Sequence, residues 1–199
     1  MAVFPVFLKL QGRRVLVVGA GPVAAGKLRA LLNAGARVTV VAPEVVNEIA
    51  ALEPAIAIER RPFETSDLDG VWYVVAAAPP AVNREVSRAA DARGLFVNAV
   101  DDMENASAYL GGIVQKAGVT IAISTDGEAP ALAGLLREAI EVLLPDDLDR
   151  WMAMSKDERR RWLEEKVPMS DRRPQLLEAL NRLYASPERT HAASPLQST

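Results

Sequence analysis

RRVLVVGAGPVAAGKLRALLNAGARVTVVAP, residues 13–43, is the stretch that decides the fold. It opens on a wholly apolar run, Val15 to Val18, and turns at glycines. It continues with helical spacing and closes on a second apolar run, Val38 to Val41. Short apolar runs bounded by turn residues predict buried strands, and the spacing between them predicts a helix. The stretch is therefore one βαβ unit. Gly19, Gly21 and Ala24 fit G-x-G-x-x-G/A, a dinucleotide-binding pattern. Gly19 lets the chain turn off the strand, Gly21 lets backbone approach a pyrophosphate, and Ala24 allows close helix–strand packing. The helix start offers N–H groups and a positive dipole end to phosphates. The same unit also serves Rossmann-like domains that have lost their ligand.

The end of the second strand reads Val41, Ala42, Pro43, where an acid for the ribose hydroxyls is expected. Glu44 follows slightly later, either for that role or as a solvated loop residue. No arginine stands there for a 2′-phosphate, which leans to NAD over NADP.

Working outward, the 199-residue chain suffices for one compact domain or two small ones. Half of it is apolar and the formal net charge is -3, which gives no reason to expect a nucleic-acid surface. With no cysteine, disulfides, thiolate metal sites and cysteine nucleophiles are excluded. The single histidine, His191, lies in a polar tail, which argues against a histidine metal site or a Ser-His-Asp triad. The start, MAVFPVFLKLQGRR, lacks a signal-peptide pattern. No apolar run reaches the roughly 18 residues of a membrane span. The expectation is a cytoplasmic protein with no membrane partner.

Along the chain, 4–10 predicts a short extended edge segment broken by Pro5. A helix is expected over 23–33, with Leu28, Leu31 and Leu32 inward and Gly35 as its stop. A second helix is expected over 44–52, a strand over 56–58, a polar connection with a small helix, and a buried strand over 71–77. A helix over 81–93 and a strand over 96–100 follow. This alternation predicts an open parallel sheet covered on both faces. Ligands in such sheets bind outside the carboxyl ends of the strands, where the glycine turn, 76–80 and 98–102 all fall. From 106 the pattern changes. Two strands, 109–114 and 119–124, flank a turn at 116–118, and a helix covers 131–144. Ser155 and Glu158 fit a capping box for a further helix. Pro174 stands early in a last helix that ends near Tyr184. The polar tail from 186 is expected to be disordered. The predicted fold class is α/β: an N-terminal Rossmann parallel sheet over 1–112, a small central region over 113–144 and a C-terminal helical domain over 145–185.

Asp101 and Asp102 are the leading chemical candidates. A carboxylate at a strand end on the ligand edge suits a general base or a metal contact. The alternative is a solvated loop in which Asp102 caps the following turn. If the backbone there is strand-like, the two side chains point to opposite sides and one enters the cleft. STDGEAP, 124–130, is either an anion-binding loop, through Ser124 and Thr125, or an ordinary helix entry. Asn98 either orients a ligand or caps its strand. Lys27 either reaches a phosphate or substrate carboxylate or is exposed. Arg159 to Arg161 read as a solvated face, and the three tryptophans and the 131–144 stripe as core or subunit contact.

FPVFLKLQGRRVLVVGAGPVAAGK, VNAVDD and ISTDGEAPALAGLLRE, in this order and spacing, resemble the precorrin-2 dehydrogenase and sirohydrochlorin ferrochelatase family, including the N-terminal portion of siroheme synthase. The resemblance covers about residues 5–144. It implies NAD-dependent oxidation of precorrin-2 to sirohydrochlorin, a tetrapyrrole, with ferrous iron insertion in some members. It also implies a homodimer with a central dimerisation region. It assigns the catalytic aspartate to Asp101. Cofactor contacts fall to the glycine turn (Gly19, Gly21), to backbone at Pro22 and Val23, and to Ala42 and Pro43. Met103, Gly111, Gly112, Ala129 and Gly134 depart from the family pattern near the implied substrate cleft. The rival class is a non-catalytic NAD-sensing module with the same glycine turn.

Overall fold

The computed structural model describes residues 3–185 and divides into two compact units. The first runs to Gly111 and includes Ser124–Pro130; the second holds Gly112–Ile123 and the chain from Ala131.

In the first unit, β1 (Arg14–Val18), α1 (Pro22–Asn33), β2 (Arg37–Val41), α2 (Asn47–Ala50), β3 (Ala57–Glu59), β4 (Tyr73–Ala76), α3 (Pro80–Asp91) and β5 (Phe96–Ala99) follow in order. The strands form one parallel sheet, β3-β2-β1-β4-β5. This is the Rossmann order, reversing between β1 and β4. The valine runs are buried because both faces of the central strands are packed. Val15, Val17, Val40 and Val75 meet Ala24, Leu28 and Leu31 of α1 and Ile49 of α2. Leu16, Val18, Val74 and Val97 meet Val86 and Ala90 of α3 on the other face. Pro22 at the first turn of α1 has the fixed φ a helix start needs, and Gly35 at φ 74 ends that helix region.

The second unit opens with an antiparallel hairpin of β6 (Gly112–Lys116) and β7 (Val119–Ile123). Its turn, Ala117 and Gly118, has positive φ at both positions, which matches strand twist. Then come α4 (Pro130–Leu143), α5 (Leu148–Glu164) and α6 (Met169–Ala185). On β6, a Cβ on Gly112 would lie 3.0 Å from the Ala133 carbonyl oxygen, so glycine lets hairpin and helix approach closely. Between α5 and α6, Trp162 Nε1 donates to Gln175 Oε1 at 2.8 Å, and Trp151 meets Tyr184 edge-on. Trp72, in the first unit, lies under the Arg13 guanidinium. Arg160 and Arg161 are exposed and pair with acids three or four residues away, a solvated helical face.

Several expectations need correction. Residues 4–10 form no strand; Phe4 is 88% exposed, and only Leu10 and, in part, Leu8 reach the core. The helix expected over 44–52 shrinks to Asn47–Ala50, flanked by turns. The sheet is not covered on both faces throughout. The β3–β4 connection is only a 3₁₀ turn, Thr65–Leu68, so Arg37, Ala57 and Glu59 stay exposed. A depression of ≈ 240 Å³ opens there, lined among others by Thr39, Glu59, Arg61 and Asp67. The Arg61 hydrogen bonds hold Asp67 below the usual carboxylate range. Ser155 and Glu158 form no capping box: α5 starts seven residues earlier, at Leu148, and Ser155 Oγ donates back to the Trp151 carbonyl. Packing of the helix pair outweighed the local cap signal. Pro174 is likewise interior, because α6 starts at Met169. The tail from 186 and His191 lie outside the described residues. Among the described residues, no helix is long and apolar enough to cross a membrane.

Candidate active site

β1, β2, β4 and β5 deliver their carboxyl ends to one edge of the first unit. There Gly19 N–H donates to the Val41 carbonyl (2.9 Å), Ala77 N–H to Val18 (2.8 Å) and Val100 N–H to Ala76 (2.9 Å). These bonds continue the ladder past the last strand residues. They fix the glycine turn, the exit of β4 and the exit of β5 relative to one another.

The glycine turn is dictated sterically. Gly19 has φ 101, and a Cβ on it would stand 2.2 Å from the Ala77 carbonyl oxygen, a backbone atom that cannot yield. Gly21 caps α1 without a side-chain hydrogen bond, and a Cβ there would meet nothing within 4 Å. An open approach beside bare helix N–H groups suits a pyrophosphate. The first helical donors come from Val23 and Ala24, since Pro22 has no N–H. Ala42 is buried and Pro43 exposed at the end of β2. Lys27 is half-buried on α1. A dinucleotide fits these residues.

The acid loop follows β5. Asp101 does not continue the strand: its φ is 55, the left-handed region that Asp and Asn tolerate better than other residues with a Cβ. Strand alternation therefore does not separate the two acids. The turn does, leaving Asp101 exposed while Asp102 accepts from Asn105 N–H (3.3 Å) and Nδ2 (2.9 Å). The loop then folds back on the open edge of β5. Val97 N–H donates to Ser107 Oγ at 2.9 Å, the N–H groups of Ser107 and Ala108 donate to the Val97 carbonyl, and Asn98 Nδ2 donates to the Ala108 carbonyl at 3.0 Å. Closing such a loop costs about 2 kcal/mol in its length-dependent part. Each hydrogen bond contributes about 1 kcal/mol net, so the ties together offset that cost.

The 124–130 loop meets this loop. Met103 covers Gly127, where a Cβ would overlap its thioether. Ser124 Oγ accepts from Asp126 N–H (3.1 Å) and Thr125 Oγ1 from Ala129 N–H (3.3 Å). Both hydroxyls thus shape the entry to α4, and their own O–H groups remain donors. The structure gathers Gly19, Gly21, Ala42, Pro43 and Asp101 at one edge. Asn98 lies beneath the acid loop at 6% exposure and not on its open surface.

Sequence reading missed two residues. Asn83 on α3 is 3% exposed, and its Oδ1 accepts from Ala78 N–H at 2.9 Å, fixing the turn that faces Gly19. An asparagine beside inward Val82 and Val86 was the available signal. Ser107, whose bond spans ten positions, left none.

The family model described as putative NAD(P)-binding matches residues 6–112, and that of the sirohaem biosynthesis protein central region matches 118–143. The chain is 41% identical over 176 residues to siroheme synthase 1 of Aeromonas salmonicida, covering 87% of this chain and 38% of the relative. To siroheme synthase 1 of Cronobacter sakazakii it is 46% identical over 153 residues, 75% of this chain and 32% of that one. The solved structure of SirC, precorrin-2 dehydrogenase, superposes with a TM-score of 0.68 at 25% identity, covering 92% of this chain and 100% of that chain. The chain belongs to the precorrin-2 dehydrogenase and siroheme synthase family. It spans well under half the length of the curated siroheme synthases it matches. The NAD(P)-binding match ends at Gly112, the first residue of the second unit. The match to the siroheme central region covers the whole of β7 and α4. Of the departures from the family pattern, Met103 and Gly112 have a local structural reason: one covers Gly127, the other admits Ala133.

Proposed function

We propose that this chain oxidises precorrin-2 to sirohydrochlorin with NAD, as a step of siroheme biosynthesis in the cytoplasm. The observation that carries this reading is Asp101, exposed in a left-handed turn at the same sheet edge as the glycine turn. When bound, NAD supplies the hydride acceptor. Gly19 and Gly21 would leave room for its pyrophosphate, and the backbone at Pro22 and Val23 would contact it, with the N–H groups of Val23 and Ala24 as donors. Ala42 and Pro43 would hold its adenosine end. The macrocycle gives up a hydride and a proton, and Asp101 takes the proton as general base. Asp102 stays with Asn105 and holds the turn. Ser124, Thr125 and Lys27 meet the substrate carboxylates as hydrogen-bond donors and a cation.

The domains run 1–112 for cofactor binding, 113–144 for dimerisation and 145–185 for the helical end. The unit acts as a homodimer without nucleic-acid or membrane partners. Leu132, Leu135, Leu136 and Leu143 of α4 are exposed, and an apolar face of this kind favours a second copy. Ferrous iron is a possible second substrate, with Asp101 accepting pyrrole protons as the metal enters. Ala129 and Gly134 stand where the family more often has Ser and Arg, and there chelation would have weakened.

An anaerobic assay with precorrin-2 and NAD, then ferrous iron, tests the reading. A sirohydrochlorin spectrum appearing with NADH supports the dehydrogenase, and iron insertion faster than the enzyme-free rate adds the chelatase. NAD binding with no spectral change in the tetrapyrrole overturns both and favours the NAD-sensing module.

A further inference from the structure

Asn98 occupies a position at which folding stability alone favours an apolar side chain. Its neighbours on the strand, Val97 and Ala99, are buried, and its in-register partner on β4 is Val75. Asn98 itself is 6% exposed, yet among the described residues its Oδ1 has no hydrogen-bond partner. A buried acceptor left unsatisfied is destabilising. Among the described residues, the bond the side chain makes is Nδ2 to the Ala108 carbonyl, ten positions along the chain. Between those two residues lie Asp101 and the Asp102–Asn105 turn.

We infer that Asn98 is a positioning residue: with Ser107 it clamps the 98–108 loop to the edge of β5 and so holds Asp101 in its left-handed turn. Among the described residues β5 is the outermost strand of the sheet, and no further strand holds this loop. The backbone bonds of Ser107 and Ala108 to the Val97 carbonyl converge on a single acceptor, and the side-chain bonds of Ser107 and Asn98 fix the segment on either side of it. Without the Asn98 tie, the Ala108 carbonyl loses its donor and the loop samples other conformations. Asp101 then spends less time where it can take a proton. The Gly19 N–H bonds to Val41 of β2, and the Val100 N–H that ties the β5 exit to Ala76 does not involve Asn98, so the cofactor dissociation constant is expected to change little. This inference rests on the proposed dehydrogenase activity, with Asp101 as its base.

The test compares wild type, Asn98→Leu, Ser107→Ala, Asp101→Asn and the double variant Asn98→Leu/Asp101→Asn. Leucine matches asparagine in the number and branching of its side-chain heavy atoms and removes the orphaned acceptor, so Asn98→Leu is expected to fold. Backbone amide exchange at Ser107 and Ala108 should accelerate about tenfold, with the β1 and β4 amides unchanged. The NAD dissociation constant should stay within about twofold, KM should change little, and kcat should fall at least about tenfold. Because Asn98 acts through Asp101, the double variant should be no slower than Asp101→Asn alone. Ser107 is exposed, and Ser107→Ala should show the same pattern about threefold to fivefold, which keeps the test decisive if the leucine variant fails to fold.

Unchanged exchange at Ser107 and Ala108 overturns the inference whatever the activity. Faster exchange with normal kcat also overturns it, since the clamp would then be structural only. Independent, multiplying losses in the double variant overturn it in favour of a direct role for Asn98. A wild-type protein inert toward precorrin-2 refutes the proposed activity and the catalytic part of the inference together. A wild-type enzyme that turns over normally beside an unaffected Asn98→Leu refutes only the clamp.

Discussion

The two units solve the burial problem differently. In the first, β1, β2 and β4 are almost wholly buried, and their side chains meet helices of the same unit. In the second, α4 has a single buried residue, Ala133, while Leu132, Leu135, Leu136, Val142 and Leu143 are exposed. The first unit therefore closes its core within itself. The second has more apolar surface than its own elements cover, as expected of a chain segment that assembles with another. Two glycines, one from each unit, differ as clearly. Gly19 is enforced by backbone on the facing strand exit, whereas Gly134 sits inside α4 with nothing near its missing Cβ. Gly19 builds a site, whereas Gly134 stands in a helix that would be more stable without it.

Four substitutions sharpen or break this contrast. The largest effect is expected from Asp101→Asn, which keeps a residue tolerant of the left-handed turn while removing the base. Turnover should fall by about 100-fold or more with NAD affinity intact; normal turnover removes Asp101 from the mechanism. Gly19→Ala comes next. Its Cβ would strike the Ala77 carbonyl, and the strained backbone alone costs about 1–3 kcal/mol. Calorimetry should show a lowered Tm and titration a loss of NAD binding. Tight NAD binding in this variant would mean the turn is not the cofactor site.

The second unit is expected to respond more mildly. Leu135→Glu, on the exposed face of α4, should leave the monomer folded and shift sedimentation from dimer toward monomer. An unchanged sedimentation coefficient would show that this face is not the contact. Gly134→Ala should raise stability by roughly 0.5–1 kcal/mol, read from the midpoint of urea unfolding. A loss of stability there would place another element against Gly134.

How much was legible in the sequence differs between the same regions. The valine runs of β1, β2 and β4 and the glycine turn were readable because burial and backbone sterics are imposed locally. So was the stop at Gly35, at positive φ. The edges of the first unit were less readable. The extended segment near Phe4 alternates like a strand but finds no partner, and 44–52 has helical spacing but packs as one short helix between turns. In the second unit, Ser155 and Glu158 match a cap by spacing, yet packing against α6 carries α5 straight through them. Local signals lose where tertiary contacts supply more free energy.

The candidate site divides in the same way. That an acid should stand after β5 follows from the sequence, and so does the place of the glycine turn at a strand end. Which of Asp101 and Asp102 is presented was decided by a left-handed turn and by Asn105. The role of Asn98 was decided by its burial under a loop closed ten residues later, and that of Asn83 by the turn it holds opposite Gly19. By itself the sequence determined the parallel sheet, its order of elements and the chemistry on offer, because periodicity and glycine stereochemistry act over a few residues. Only the tertiary structure decided which polar side chains point outward to react and which turn inward to hold them, because that choice depends on hydrogen-bond partners distant along the chain.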